Sequence, residues 1–215
     1  MALFACMEFE FAGNHFRAIP GKALFWEEES ALLISDLHIG KTQHFRKNGI
    51  PVPVLAADKN LEKLHALLEF QELKEVIMVG DLFHSDMNQE WEHFVELRQH
   101  YGTVRWTLIR GNHDRIPAYL LKEAQIEALH KTERNGIELI HEPEENPSKP
   151  SISGHIHPAI TLRGKGRWSE TLPCLAVSTR QILLPAFGSF TGKQVIQAHE
   201  GQRIFVFPGN SVLEV

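Results

Sequence analysis

Three short, largely apolar runs, Ala31-Leu32-Leu33-Ile34, Val76-Ile77-Met78-Val79 and Val104 to Ile109, each give way to a short polar cluster. The clusters are Ser35-Asp36-Leu37-His38, Gly80-Asp81-Leu82 and Gly111-Asn112-His113-Asp114. A fourth run, Ile137-Glu138-Leu139-Ile140, leads into His141, and Gly154-His155-Ile156-His157 follows further on. A short apolar run bounded by turn residues reads as a strand buried on both faces. Between the runs lie two helical patterns. One carries Leu61, Leu64, Leu67 and Leu68 behind Pro51 and Pro53; the other, about Gln89 to His100, carries Trp91, Phe94, Val95 and Leu97. Strands alternating with helices build a parallel sheet, and sites in such sheets form outside the carboxyl ends of the strands. The clusters therefore predict one shared site.

The flanks are β-rich. Glu8-Phe9-Glu10-Phe11 alternates, and Ala23-Leu24-Phe25-Trp26 is a short apolar run before an acidic turn. Pro117 to Glu127 reads as a short helix, and Glu142 to Pro150 as a polar, proline-bearing loop. Strand patterns resume over Leu172–Val177, Ile182–Leu184, Gln194–Ala198 and Arg203–Phe207. No repeat or linker divides the chain. The expectation is one layered α/β domain over residues 1–215, with a pair of sheets between helices.

With 43% hydrophobic residues among 215, the chain has material for a sizeable core. Its formal net charge of -5 argues against a broad basic surface that grips nucleic acid through phosphates alone. Cys6 and Cys174 cannot supply a disulfide framework, so the cytoplasm is the expected compartment. The apolar start is cut short by Glu8 and lacks a basic lead, which makes a poor signal peptide. No stretch approaches the ~18 apolar residues of a spanning helix, so no membrane role is expected.

The clusters carry metal-ligand chemistry. Carboxylate oxygen together with neutral imidazole suits manganese, iron, cobalt or zinc better than magnesium or calcium. Asp36 and His38 lie two apart at a strand end, where alternate side chains share a face and could bind one ion together. His155 and His157 repeat that spacing. Asp81 stands alone after its strand and suits a bridge between two ions. Asn112 offers an amide oxygen and His141 a ring nitrogen. Two divalent ions set against two carboxylates leave positive charge, which favours an anion such as phosphate. Two-ion centres clamp the attacking and leaving oxygens of an in-line displacement and acidify bound water. His113 is placed to protonate the leaving oxygen, with Asp114 to orient it. Each motif alone has a plainer reading: Gly-Asp is common in turns, and Asn112 or Asp114 could cap a helix near Pro117. Together and in order, they favour a two-metal site.

The ordered set Asp-x-His, Gly-Asp, Gly-Asn-His-Asp, a lone His and Gly-His-x-His resembles the calcineurin-like metallophosphoesterase superfamily, from about Leu33 to His157. The resemblance implies a four-layer α/β/β/α sandwich. It implies that Asp36, His38 and His157 hold one ion, that Asn112, His141 and His155 hold the other, that Asp81 serves both, and that His113 contacts the transition state. One departure is visible, because many members continue Gly-Asp-x-x with an acid or asparagine while here Gly80-Asp81-Leu82-Phe83 runs into His84. His84 either touches substrate or packs.

Further stretches are similar to a small bacterial branch, the ligase-associated DNA damage response endonucleases. They include Asp36 to Lys41, Phe45 to Pro51, Gly80 to Ser85 and Leu184 to Gly192. This similarity implies a manganese-dependent phosphodiesterase and endonuclease acting on DNA in repair, with a DNA ligase and a helicase as partners. Single-stranded or structured DNA is the expected substrate. The alternative is a small nucleotide or a nucleotide-lipid pyrophosphate. Lys41, Arg46 and Lys47 would hold phosphates beside the site, as would Arg163 with Lys165 and Arg167, and Trp168 would stack on a base. The competing reading makes Arg163 to Arg167 a hairpin tip turning on Gly164 and Gly166. The Phe187-Gly188-Ser189-Phe190-Thr191-Gly192 stretch reads as a tight corner of the core.

Overall fold

The computed structural model describes residues 5–41, 56–83, 89–189 and 191–215. The first sheet runs β1 (Met7–Phe11), β2 (Asn14–Ile19), β3 (Ala23–Trp26), β4 (Ala31–Ile34), β5 (Glu75–Val79), β6 (Arg105–Ile109) and β7 (Ile126–Leu129), in that spatial order. Neighbours are antiparallel as far as β4 and parallel from β4 to β7. The connections between the parallel strands carry α1 (Ala56–Phe70), α2 (Gln89–His100) and α3 (Ala118–Glu123), as parallel pairing requires a crossover. Ile34, Val79 and Ile109 thus end at one edge of the sheet, and the polar clusters begin there.

The second sheet contains β8 (Lys131–Arg134), β9 (Ile137–Ile140), β10 (Ser151–Ser153), β11 (Pro158–Arg163), β12 (Ser169–Val177), β13 (Gln181–Leu183), β14 (Gln194–Val195), β15 (Arg203–Val206) and β16 (Leu213–Glu214). β10 lies parallel between β9 and β13. His141 and Gly154-His155 therefore emerge side by side, and the Gly154 N–H donates to the His141 carbonyl at 3.1 Å.

Alternation along each strand divides the core into layers. Leu32, Ile34, Val76, Met78 and Leu108 meet Leu64, Leu67, Phe94 and Leu121 of the three helices. Their neighbours Leu33, Ile77, Val79 and Ile109 face the second sheet and meet Leu139, Ile152, Val177 and Phe205. Arg134 of β8 ties the sheets together through two hydrogen bonds to the buried Glu75 carboxylate, at 2.5 and 3.1 Å. The layered α/β sandwich read from the sequence is what forms. Among the described residues, Cys174, Ala176, Ile204 and Val206 on the outer face of the second sheet are covered by Ile160, Leu162 and Ile196 rather than by a helix. Among the described helices, none is long and apolar enough to cross a membrane.

The structure corrects the reading of Pro117 to Glu127. The helix stops at Glu123, Gln125 turns through a left-handed φ of 53°, and Ile126 enters β7 opposite Trp106. Pairing with β6 overrides the local helical pattern. Strands β2, β8, β10 and β11 were also not apparent as apolar runs.

Candidate metal centre

The backbone at the strand ends turns in an uncommon way. Asp36, His38, Asp81, His155 and His157 all have positive φ, between 47° and 68°. Non-glycine residues hold this left-handed conformation only where the surroundings enforce it, and it marks functional sites. Asp36 and His38 therefore do not converge by strand alternation, as the sequence reading assumed. They are turned back one after the other, and the Asp36 and His38 N–H groups donate to the carbonyls of Gly80 and Asp81 at 3.1 and 2.9 Å.

These turns gather two groups of three. Asp36, His38 and His157 form one; Asp81, His141 and His155 form the other. Within each group the potential ligand atoms lie within 4.8 Å of one another. In the first, His157 Nε2 stands 3.2 Å from Asp36 Oδ1, and His38 Nε2 stands 4.0 Å from that same oxygen. In the second, His141 Nε2 is 3.5 Å from Asp81 Oδ1 and 3.2 Å from His155 Nδ1. Asp81 faces both, because its Oδ2 lies 4.0 Å from His38 Nε2. Asn112 Oδ1 joins the second group, 3.3 Å from His141 Nε2.

Three observations fit divalent cations to these residues. Asp36 Oδ1 and His157 Nε2 are buried, and neither has a hydrogen-bond partner among the described residues. Buried polar atoms are rarely left so, and a cation would satisfy both. His141 Nδ1 lies 3.2 Å from the Val79 carbonyl, so Nδ1 carries the proton and the Nε2 lone pair faces the site, the arrangement that orients a histidine ligand. The donor set is carboxylate, imidazole and amide oxygen, which suits a borderline divalent metal.

Electrostatics prepares the same result. Burial, with Lys41 adding to it, pushes the His38 imidazole down to about 3, so it stays neutral as a ligand must. Burial works against charge on Asp81, but the His141 ring and the His113 N–H outweigh it and hold the carboxyl at about 2. Burial also opposes a charged His141, yet the Asp81 carboxylate raises it above its ordinary value. In the second group, then, a cation competes with a proton, and acid will weaken binding there.

Asn112 and His113 are exposed at the mouth of the site. The His113 N–H donates to Asp81 Oδ1 at 3.0 Å, and its ring lies edge-on to that of His38 with centroids 5.9 Å apart. Asp114 is buried and has a different task from the one expected. Its oxygens accept from the N–H groups of Phe83, at 3.1 Å, and Gly111, at 2.8 Å. It ties the Asn112 loop to the Asp81 loop, and burial pushes its carboxyl up to about 6 despite those bonds. The helix-cap alternative fails, because Pro117 precedes α3 and no side chain caps it.

Arg46 and His84 lie outside the described residues. Arg163 is exposed at the far end of β11. Five extended steps, about 17 Å, separate it from Pro158 beside the site. Arg163 pairs with Ser169, and the Gly164 N–H donates to the Trp168 carbonyl at 3.0 Å. Residues 164–168 are thus a hairpin tip, and Arg163 is not brought to the metal groups. Two supporting residues went unread. The Ser35 hydroxyl bonds the Asp36 carboxylate and the Val79 carbonyl. Glu90 of α2 accepts from the Gly40 N–H at 2.5 Å. Ser35 had a signal in its place beside Asp36; Glu90 had none.

Residues 30–149 match the model of the calcineurin-like phosphoesterase family. Among solved structures, the nuclease MPE of Pseudomonas putida is similar with a TM-score of 0.80 and 28% identity, over 94% of this chain and 96% of that one. A protein of Aquifex aeolicus aligns with a TM-score of 0.44 and 18% identity, over 64% of this chain and 82% of its own. No curated protein matches the chain.

Proposed function

The chain belongs to the calcineurin-like phosphoesterase family, a metal-dependent hydrolase by that membership, and on this premise we propose that it is a manganese-dependent phosphodiesterase that cuts DNA internally. The observation that carries the reading is the pair of three-residue groups facing each other across Asp81. The likeness to a nuclease over nearly the whole of both chains supports a nucleic acid as the substrate, and the motif similarity to the DNA endonuclease branch favours DNA. The similarity of the motifs to the ligase-associated branch supports a role in repair, beside a ligase and a helicase. Free thiols at Cys6 and Cys174 are in keeping with the cytoplasm.

Asp36, His38 and His157 would hold one divalent ion, and Asn112, His141 and His155 the other, with Asp81 shared. When bound, such ions polarise a phosphoryl oxygen and acidify water. The rest falls to side chains. The mouth of the site is open at Asn112 and His113, so a phosphodiester can approach from that side. His113 gives a proton to, or hydrogen-bonds, the oxygen that leaves, which offsets the charge developing there. Asp114 keeps the His113 loop in register with Asp81 by holding the Gly111 and Phe83 N–H groups.

His113→Ala should lower kcat by about a hundredfold, the usual worth of a proton donor. Manganese affinity, measured by calorimetry, should stay within about threefold, since the ring stands outside both ligand groups. Loss of manganese instead would make His113 a ligand and refute its assigned role.

Circular single-stranded DNA tests the substrate. Metal-stripped protein reloaded with manganese should linearise circles, which have no end for an exonuclease. Intact circles alongside rapid hydrolysis of a small phosphodiester would overturn the DNA reading and favour a small nucleotide.

A further inference from the structure

Of the Phe187 to Gly192 stretch, Phe187 and Gly188 are buried, Ser189 and Gly192 are exposed and Phe190 lies outside the described residues; the backbone of this corner also reaches the site. Phe187 is fully buried on the helix side of the first sheet. Its N–H donates to the Ser35 carbonyl at 2.7 Å, and the Gly188 N–H donates to the Asp36 carbonyl at 3.1 Å. A methyl group at Gly188 would come within 2.6 Å of the Leu37 carbonyl oxygen, so the two segments are in tight contact.

The other side of this corner is held by two lysines. Lys22, in the turn between β2 and β3, donates from Nζ to the carbonyls of Ala186 and Gly188, the latter at 3.1 Å. Lys63 of α1 donates to the Phe187 carbonyl at 2.7 Å, with its Nζ 3.6 Å from the centre of the Phe187 ring. Asn60, one helical turn earlier, accepts from the Ser189 N–H and hydroxyl at 3.1 and 2.9 Å. Neither lysine has a carboxylate partner among the described residues. Sinking an ammonium group with no carboxylate in contact costs free energy, and an aliphatic side chain would fill the same space without that cost. What lysine adds is a donor for carbonyls that would otherwise be left without one.

We infer that Lys22 and Lys63 are positioning residues for the ion held by Asp36, His38 and His157. They fix the carbonyls of residues 186–188, and through the Phe187 and Gly188 N–H groups they set the turned-back backbone of Asp36. The inference rests on the reading that this group holds an ion. It is specific to one of the two sites, because Asp81, His141 and His155 follow β5, β9 and β10 and, among the described residues, no backbone bond joins them to the corner. Outer residues that orient ligands are commonly worth about tenfold or more in metal affinity.

The test is a manganese titration of metal-free protein, followed by calorimetry and by the electron-spin signal that separates a coupled ion pair from a single ion. Wild type should bind two ions per chain, and Asp36→Asn should identify the ion belonging to the first group. Lys63→Met and Lys22→Met should each bind that ion about tenfold more weakly, leaving the other unchanged and giving a single-ion signal at low loading. Ser189→Ala, which removes one hydroxyl and should fold normally, should weaken the same ion in the same sense by a smaller factor, and it decides the matter if the lysine variants fail to fold. Wild-type binding of both ions in the folded variants, or equal weakening of both, would overturn the inference. Failure of wild type to bind a second ion, or of Asp36→Asn to lose one, would instead remove the site reading beneath it.

Discussion

Asp81→Asn should reduce turnover by roughly ten-thousandfold, about 5 kcal/mol of transition-state stabilisation. The reason is that Asp81 presents an oxygen to each ligand group, with Oδ2 toward His38 and Oδ1 toward His141. An amide keeps one acceptor oxygen but turns N–H donors toward a cation site and removes a negative charge. The surrounding fold should survive, because the amide oxygen can still accept from the His113 N–H that now bonds Asp81 Oδ1. The metal-free protein should nonetheless lose something. The Asp81 carboxyl is held at about 2 against an ordinary 3.8, so its charged form stabilises the native state by roughly 2 kcal/mol at neutral pH. The sign follows from the lowered value: this stabilisation is present above about pH 4 and is lost as pH falls through about 2. Thermal melts with and without chelator separate the two effects. Chelator should lower the wild-type midpoint and barely move that of the variant, and an equal response in both would show that Asp81 does not serve the ions.

Gly80→Ala should be nearly as damaging, though Gly80 carries no chemistry. Its φ is +82°, and a methyl group there would fall on the His141 imidazole. The left-handed backbone costs a side chain about 1–2 kcal/mol, and forcing a filled site open costs about 1–3 kcal/mol more. The melting midpoint should therefore drop by roughly 5–15 °C for a chain of this size. The imidazole cannot yield without leaving the Val79 carbonyl that fixes its tautomer, so the ion of the Asp81 group should be lost as well. Gly136→Ala is the matched control. Its φ is +75°, but nothing lies within 4 Å of the added methyl. It should show the backbone cost alone and leave manganese binding untouched. Equal loss of binding in both variants would mean that contact with His141 is not the cause.

What could be read from the sequence, and what could not, divides along physical lines. β4 and β5 were legible because strands buried on both faces are nearly continuously apolar, and β6 and β9 because only Arg105, Thr107 and Glu138 break their apolar runs. β10 was not, since Ser-Ile-Ser is extended only because β9 and β13 flank it. β8 is polar and exists by pairing with β9. The residues that the fold gathers into two groups were legible because residue type and spacing are local facts. The means of convergence was not, because positive φ at Asp36, His38, His155 and His157 is imposed by hydrogen bonds from distant segments. The same holds for Asp114, whose partners Gly111 and Phe83 are known only once the loops meet. Lys22 and Lys63 look like ordinary surface lysines in the sequence. Only the fold shows their ammonium groups on the carbonyls of a corner more than 120 residues away.

The most direct test counts ions and activity together. Protein stripped of metal is titrated with manganese, and bound ions per chain are measured beside hydrolysis of a small phosphodiester. Two ions per chain, with hydrolysis absent at the start and rising as the second ion binds, is the result expected of two facing groups that share Asp81. Binding of a single ion at saturation, or hydrolysis that survives complete stripping, would contradict a two-metal phosphoesterase centre.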